Sequence, residues 1–378
     1  MNTIDIWDWK YRIYLDERTL QQVRQWITQL TPREAEIYEQ LLQFYLSFYS
    51  FGVLLDLCIE SPDRAGHYLE IAASHPEDLI RTPQVLVPYY KRTIRNFAHP
   101  TQQSILLHLL TCSLHAREIR EEYWALTAAL FGSAFPQMQQ TFNSAQYSHC
   151  IPLPRQANLR DHCDALYAAF FQQITQDPHL IQQFGPCAIT SYHQKIVEGT
   201  GYGAWWDREI SSSGEDELVL YTNNGIVKKD DYLYTILHET YPGHGHFYNT
   251  VRADNDQMDH GAMHLIEGWA TYCEWHTYPS PYVNAVYHND MAFLYRSLHY
   301  STDGIASEMY QRKRRQGKTV AQMAPSIAYA TQYIGYLEAY YLGALWIELA
   351  VRRHYHTPKE FLQMLATHNK GEFFSLWL

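Results

Sequence analysis

Apolar positions recur at helical spacing through most of the chain. Glu34 to Phe51 and Gln102 to Ala116 read as amphipathic helices. Thr31-Pro32-Arg33-Glu34 supplies a cap residue, a proline at the first helical position and a glutamate that closes a capping box. Ser61-Pro62, His75-Pro76, Thr82-Pro83 and His99-Pro100 repeat the proline-initiated start, and Thr357-Pro358-Lys359-Glu360 is a further capping box. Their irregular spacing argues against a solenoid. The pattern changes at about Cys187. Ala188 to Val197 and Glu217 to Tyr221 are short β-type runs, separated by the Gly-rich, polar segment Gly199 to Gly214. Thr222-Asn223-Asn224-Gly225 is a turn signal, and a helix is expected after it with Asp230 or Asp231 as N-cap. The longest apolar stretch, Ala330 to Val351, carries Gln332, Glu338 and Glu348, which predicts a buried helix rather than a membrane span.

The expected fold is therefore mainly α, with a small β-sheet immediately before the central helix. A helical region over 1–186 leads without a Gly/Ser/Pro linker into a second region over 187–378, so the two are expected to form one compact unit.

Composition narrows the function. Of the 378 residues, 46% are hydrophobic and 18% charged, which is ordinary globular usage. The formal charge of −11 disfavours binding to a phosphate backbone, so no nucleic-acid partner is expected. The N-terminal residues lack the basic start and apolar run of a secretory signal, and no membrane partner is expected. Six cysteines without a CxxC pair read as free thiols of a reducing compartment, hence a cytoplasmic protein. The 31 tyrosines suggest a groove lined by rings with polar tips, or a tyrosine-rich core.

The chemistry concentrates in the helix expected around His238-Glu239-Thr240-Tyr241-Pro242-Gly243-His244. A His-Glu dipeptide followed by a second His is the core of zinc-peptidase helices, where the Glu activates water. The usual second His lies four residues on, and here that position is Pro242. His244, at six residues, falls about 120° off-face on a regular helix. Pro242 must loosen the helix, and Gly243 permits an unusual backbone, so a bulge could return His244 to His238. The alternative is a helix terminus with surface histidines.

The next helix carries one polar stripe. His260, His264, Glu267, Thr271 and Glu274 lie within about 80° of one another, while most other positions are apolar. Either the stripe faces solvent, or its buried carboxylates have a partner such as a metal. In the second case Glu267 is the natural third ligand, beside His238 and His244.

HETYPGH at 238–244 and EGWATYCE at 267–274 resemble the bacterial domain-of-unknown-function family 885, predicted zinc metallopeptidases with HExxPGH and EGWA motifs. The resemblance extends more loosely over about Gly199 to Leu378, through Arg296, Asp303-Gly304, Tyr340-x-x-Gly343 and the segment around Phe361, Leu365 and Gly371. It implies a zincin-like helical architecture and one zinc per chain. It implies His238, His244 and Glu267 as ligands and Glu239 as the catalytic carboxylate. The sequence departs from the family at Ala306, where a histidine is frequent, and at Ile334-Gly335-Tyr336, where a Pro-Gly-Gln triplet is frequent.

Supporting residues follow from helical geometry. Tyr329, Tyr333, Tyr336 and Tyr340 would share one helix face. The resemblance favours Tyr340 as donor to a developing oxyanion, with Tyr336 a substrate contact. Arg296, Tyr300 and Asp303 would share another face. Arg296 would meet a substrate carboxylate or pair with Asp303. Glu274 and Asp303 are expected to support the ligands from behind, and His264 is either a further partner of a ligand or a satisfied core histidine.

The expected function is hydrolysis of a peptide or amide bond by water activated at zinc, with Glu239 as base. The strand at 217–221 would offer an edge to an extended substrate, and Gly199 to Gly214 would form a rim. Two alternatives accompany it: a specialised amide hydrolase acting on a small biosynthetic or peptide-derived metabolite, and a non-catalytic helical binding protein with a structural metal. Oligomeric state is not legible.

Overall fold

The computed structural model describes residues 24–25, 27–131, 137, 163–198, 204–207, 217–222, 235–251, 263–277, 293, 297, 299–315 and 317–367. The architecture is mainly α. In chain order the helices before the sheet are α1 (Pro32–Ser47), α2 (Phe51–Glu60), α3 (Ala65–Ser74), α4 (Val87–Ile94), α5 (Pro100–Ser113), α6 (Arg120–Phe131), α7 (Cys163–Thr175) and α8 (Pro178–Phe184). Strands β1 (His193–Glu198), β2 (Ala204–Asp207) and β3 (Glu217–Thr222) follow. Then come α9 (His244–Val251), α10 (Met263–His276), α11 (Thr302–Arg315), α12 (Val320–Gln332), α13 (Tyr336–His354) and α14 (Pro358–Thr367). Among the described residues no helix is long and apolar enough to cross a membrane.

The chain forms two compact units, and the division does not fall at 186/187. One unit takes Asn2–Gly132 with Phe293–Glu338; the other takes Ser133–Ala292 with Ala339–Leu376. The expected two-part split missed this because a helical segment late in the chain returns to the first unit, and apolar periodicity does not say which neighbour a helix will choose.

In the first of these units, proline starts and side-chain caps set the helix boundaries. Pro32 and Pro100 each open a helix. The stretch expected to run from Glu34 to Phe51 is broken at Ser50, whose hydroxyl accepts from the Val53 N–H at 3.1 Å and starts α2 afresh. The core gathers Phe51, Leu54, Tyr68, Leu69, Leu106 and Ile305, all shielded from solvent. Buried Gln332 at the end of α12 ties distant segments together. Its Oε1 accepts from the Gly52 N–H at 3.3 Å and the Thr82 hydroxyl at 3.1 Å, and its Nε2 donates to the Arg81 carbonyl at 3.1 Å.

The continuous helix expected over Ala330 to Val351 is two helices. After Gln332 the chain leaves the helical path, with Gly335 at φ +92°, and α13 begins at Tyr336. A left-handed residue of this kind is the ordinary device for leaving a helix. The tyrosines therefore do not form one row. Tyr333 is buried and donates to Asp56, while Tyr329 is half exposed and stacks on Tyr333 at 4.8 Å between ring centroids.

The second unit contains the sheet, in the order β1-β3-β2. β3 pairs parallel with β1 and antiparallel with β2. It is thus the central strand, with Leu218 and Val219 buried, and residues 217–220 are paired on both edges rather than open to a substrate. Strand β2, Ala204-Trp205-Trp206-Asp207, lies inside the Gly-rich segment expected to be only a rim. Four residues between glycines are too few to display an alternating pattern. The turn at 222–225 and the cap at Asp230 or Asp231 lie, apart from Thr222, outside the described residues.

Candidate metal centre

Residues 235–239 form a short helical segment, residues 240–243 leave it, and α9 starts at His244. The Tyr241–Pro242 peptide bond is cis. Two backbone hydrogen bonds that span six residues close the turn: Gly243 N–H to Leu237 C=O at 3.1 Å and His246 N–H to Thr240 C=O at 2.9 Å. The backbone of Gly243 lies so close to the preceding helical segment that a Cβ there would sit 1.8 Å from the His238 carbonyl oxygen. Only glycine fits. The off-face angle of a regular helix is thereby removed, and the rings of His238 and His244 stand 4.6 Å apart, edge to face.

Helix α10 closes the other side. Trp269 Nε1–H donates to the Pro242 carbonyl at 2.9 Å, and Cys273 Sγ–H donates to the same oxygen at 3.4 Å. These bonds hold the turn against the helix that supplies Glu267. Further along α10, a Cβ on Gly268 would lie 2.4 Å from the backbone of Gly343 in α13. The two helices cross backbone to backbone there, one residue from Glu267 and one turn from Tyr340.

His238, His244 and Glu267 bring ligand-capable atoms within 4.8 Å of one another. Glu267 Oε2 stands 3.3 Å from His238 Nε2 and 3.5 Å from His244 Nε2. His238 Nδ1 meets Glu274 Oε1 at 2.7 Å. Glu239 and both histidines are buried, and Glu267 is only partly accessible. Burial opposes charge on His238, yet Glu274, Glu267 and Glu239 together hold its pKa well above the ordinary imidazole value. Burial likewise opposes charge on Glu267, and hydrogen bonds from His238 and His244 reverse that and hold its carboxyl below the usual carboxylate range. The cluster therefore favours positive charge at the point where the two Nε2 atoms face Glu267 Oε2.

His246, two residues beyond the second histidine of the motif, does other work. His246 donates from Nε2 to the Phe184 carbonyl at 3.0 Å and accepts at Nδ1 from the Ala188 N–H at 3.1 Å. Burial pushes its pKa down to about 4. It is a neutral tie to the loop after α8, with both nitrogens engaged.

The other expected site residues fall variously. Tyr340 is half-buried, and its ring lies 5.9 Å from the His238 ring at an interplanar angle of 19°. Glu274 lies against His238 Nδ1. Asp303 receives the Arg81 guanidinium at 2.7 Å within its own unit. Tyr300 lies outside α11, so it and Asp303 are not on one regular helix face. Arg296 is outside the described residues, as are the side chains of His264 and Tyr336. Cys58, Cys112, Cys187 and Cys273 are free thiols, while Cys150 and the side chain of Cys163 lie outside the described residues. Sequence reasoning passed over Tyr248, whose ring lies 6.1 Å from that of His244. Its spacing of four residues from His244 was the available signal.

No family model matches the chain, and no curated protein matches it. Among solved structures it is similar to that of "the putative lipoprotein from Colwellia psychrerythraea", at 13% identity and a TM-score of 0.44, over 92% of this chain and 76% of that one.

Proposed function

We propose that the protein is a zinc-dependent hydrolase of peptide or amide bonds, with a zincin-like centre formed by His238, His244 and Glu267. The observation that carries this reading is the convergence of two imidazole Nε2 atoms on one carboxylate oxygen at 3.3 and 3.5 Å. Two ligand atoms bound to one tetrahedral zinc at 2.0–2.2 Å stand roughly 3.4 Å apart, so the donor set fits the ion. The resemblance to family 885 supports the same ligands. Zinc held there would supply Lewis acidity toward a carbonyl oxygen and toward water.

The chain's own residues complete the reaction. Glu239 follows the first ligand directly, so its side chain leaves the helical segment about 100° from that of His238. In that position it takes the proton of the attacking water and returns it to the leaving nitrogen. Glu274 orients His238 through Nδ1, a contact that would leave the Nε2 lone pair available to a metal. Tyr340, beside His238, donates to the oxyanion as the carbonyl carbon becomes tetrahedral. A buried carboxylate next to the first ligand favours catalysis over a purely structural metal. The free thiols support a cytoplasmic location.

Elemental analysis after zinc reconstitution should give about one zinc per chain. Screening a mixed peptide library with and without chelator should then reveal metal-dependent cleavage. In Glu239→Gln, zinc content should hold while turnover falls about 10²-fold or more. Unchanged turnover in a zinc-loaded Glu239→Gln protein would remove Glu239 from the mechanism. Absence of zinc from the reconstituted wild type would remove the metal.

A further inference from the structure

Each imidazole at the centre has a tyrosine ring beside it. Tyr340 lies nearly parallel to His238 at 5.9 Å, and Tyr248 lies against His244 at 6.1 Å with an interplanar angle of 31°. The two phenols come from different helices, α13 and α9. Tyr248 is four residues beyond His244, so both project from one face of α9, and helical side chains lean toward the N-terminus over the preceding turn. The phenol is thereby carried over the ligand. His238, Glu239 and His244 are buried, and Tyr248 and Tyr340 are partly accessible.

We infer that Tyr248 is a second substrate-holding phenol of this site, and that the scissile amide lies between Tyr248 and Tyr340. The inference rests on the metal reading above. Tyr340 faces the carbonyl from the His238 side. Tyr248 faces the substrate from the His244 side, where its ring packs on the planar amide and its hydroxyl donates to a neighbouring carbonyl. A planar, extended peptide segment fits between two rings of this kind. The expected kinetic signature is a division of labour: loss of the Tyr340 hydroxyl lowers kcat, and loss of the Tyr248 ring raises KM.

The test uses the zinc-loaded full chain and two probes, acetohydroxamate and a dipeptide hydroxamate, with dissociation constants measured by calorimetry. Tyr248→Phe keeps the ring and guards against misfolding; Tyr248→Ala removes it. Zinc content, measured first, should equal that of the wild type in both. Acetohydroxamate affinity should change by less than about 2-fold, because it reaches only the metal. Dipeptide hydroxamate affinity should fall about 3-fold in Tyr248→Phe and about 10-fold or more in Tyr248→Ala, a loss of one hydrogen bond and then of ring contact as well. Equal affinity for the dipeptide hydroxamate in wild type and both zinc-loaded variants would overturn the role of Tyr248 and leave the metal centre intact. A wild-type chain that holds no zinc would instead overturn the centre, and this inference with it.

Discussion

The two units bury different sets of polar groups. In the unit built around α2 and α12, these include the neutral amide of Gln332, which both accepts and donates hydrogen bonds, and the guanidinium of Arg120, which donates to the Ser297 carbonyl at 3.4 Å. Its Arg81–Asp303 ion pair is kept half exposed. In the unit built around α9 and α10, Glu239, Glu274, His238 and His244 are buried together with a largely covered Glu267. Burying a charge is costly unless it is paired: Glu348 of the same unit is buried with His276 and Arg352 as partners, whereas the cluster around Glu267 gathers three carboxylates about two imidazoles.

The strongest way to break this contrast is Gly243→Ala. A methyl group 1.8 Å from a backbone oxygen cannot be accommodated by rotamer changes, so the turn must open. The expected cost is about 3 kcal/mol or more, with zinc binding lost. Thermal unfolding and metal analysis of the same preparation check both effects, and full zinc occupancy would mean that the turn is not what joins the ligands. Glu274→Gln is gentler. It preserves shape and removes the charge behind His238, and zinc affinity should drop about 10- to 100-fold in a chelator competition assay. Unaltered affinity there would reduce Glu274 to a packing residue.

Gln332→Leu sharpens the comparison from the other side. It strips the acceptor from the Gly52 N–H and the Thr82 hydroxyl and should cost about 1–3 kcal/mol. Denaturant unfolding should show the loss, while zinc affinity stays as in the wild type. Altered zinc affinity would show that the two kinds of buried polarity are coupled. The smallest effect is expected from Asp303→Asn. Its half-exposed pair with Arg81 should contribute less than about 1 kcal/mol, and a larger fall in melting temperature would reveal a further role for Asp303.

The candidate ligands were legible because their chemistry is local. His238, Glu239, Pro242, Gly243 and His244 lie within seven residues, and Glu267 and Glu274 share a stripe that any helix would display. Proline and capping signals likewise marked the starts of α1, α5 and α14. What escaped depends on partners far along the chain. Arg81 meets Asp303 across 222 positions, and Gln332 reaches Gly52 across 280. The order of the three strands is also a long-range property, so nothing in Glu217 to Thr222 could disclose that residues 217–220 are paired on both edges. The tyrosine row failed for a local reason: at 333–335 a uniform helical wheel was continued through a residue, Gly335, that reverses the backbone. The ring contacts of Tyr248 were hidden because four-residue spacing identifies a helix face without naming what that face meets.

The contact between Gly268 and Gly343 has a mechanical consequence. Side chains at a helix crossing act as springs, since rotamers can turn to take up a displacement. Two backbones in direct contact have no such slack. Any shift of α13 at this point is passed on to α10, and Glu267 and Tyr340 sit at either end of the joint. The spacing of the backbone segments that carry Glu267 and Tyr340 is therefore stiff. Substrates of different size would have to be accommodated by other walls of the site.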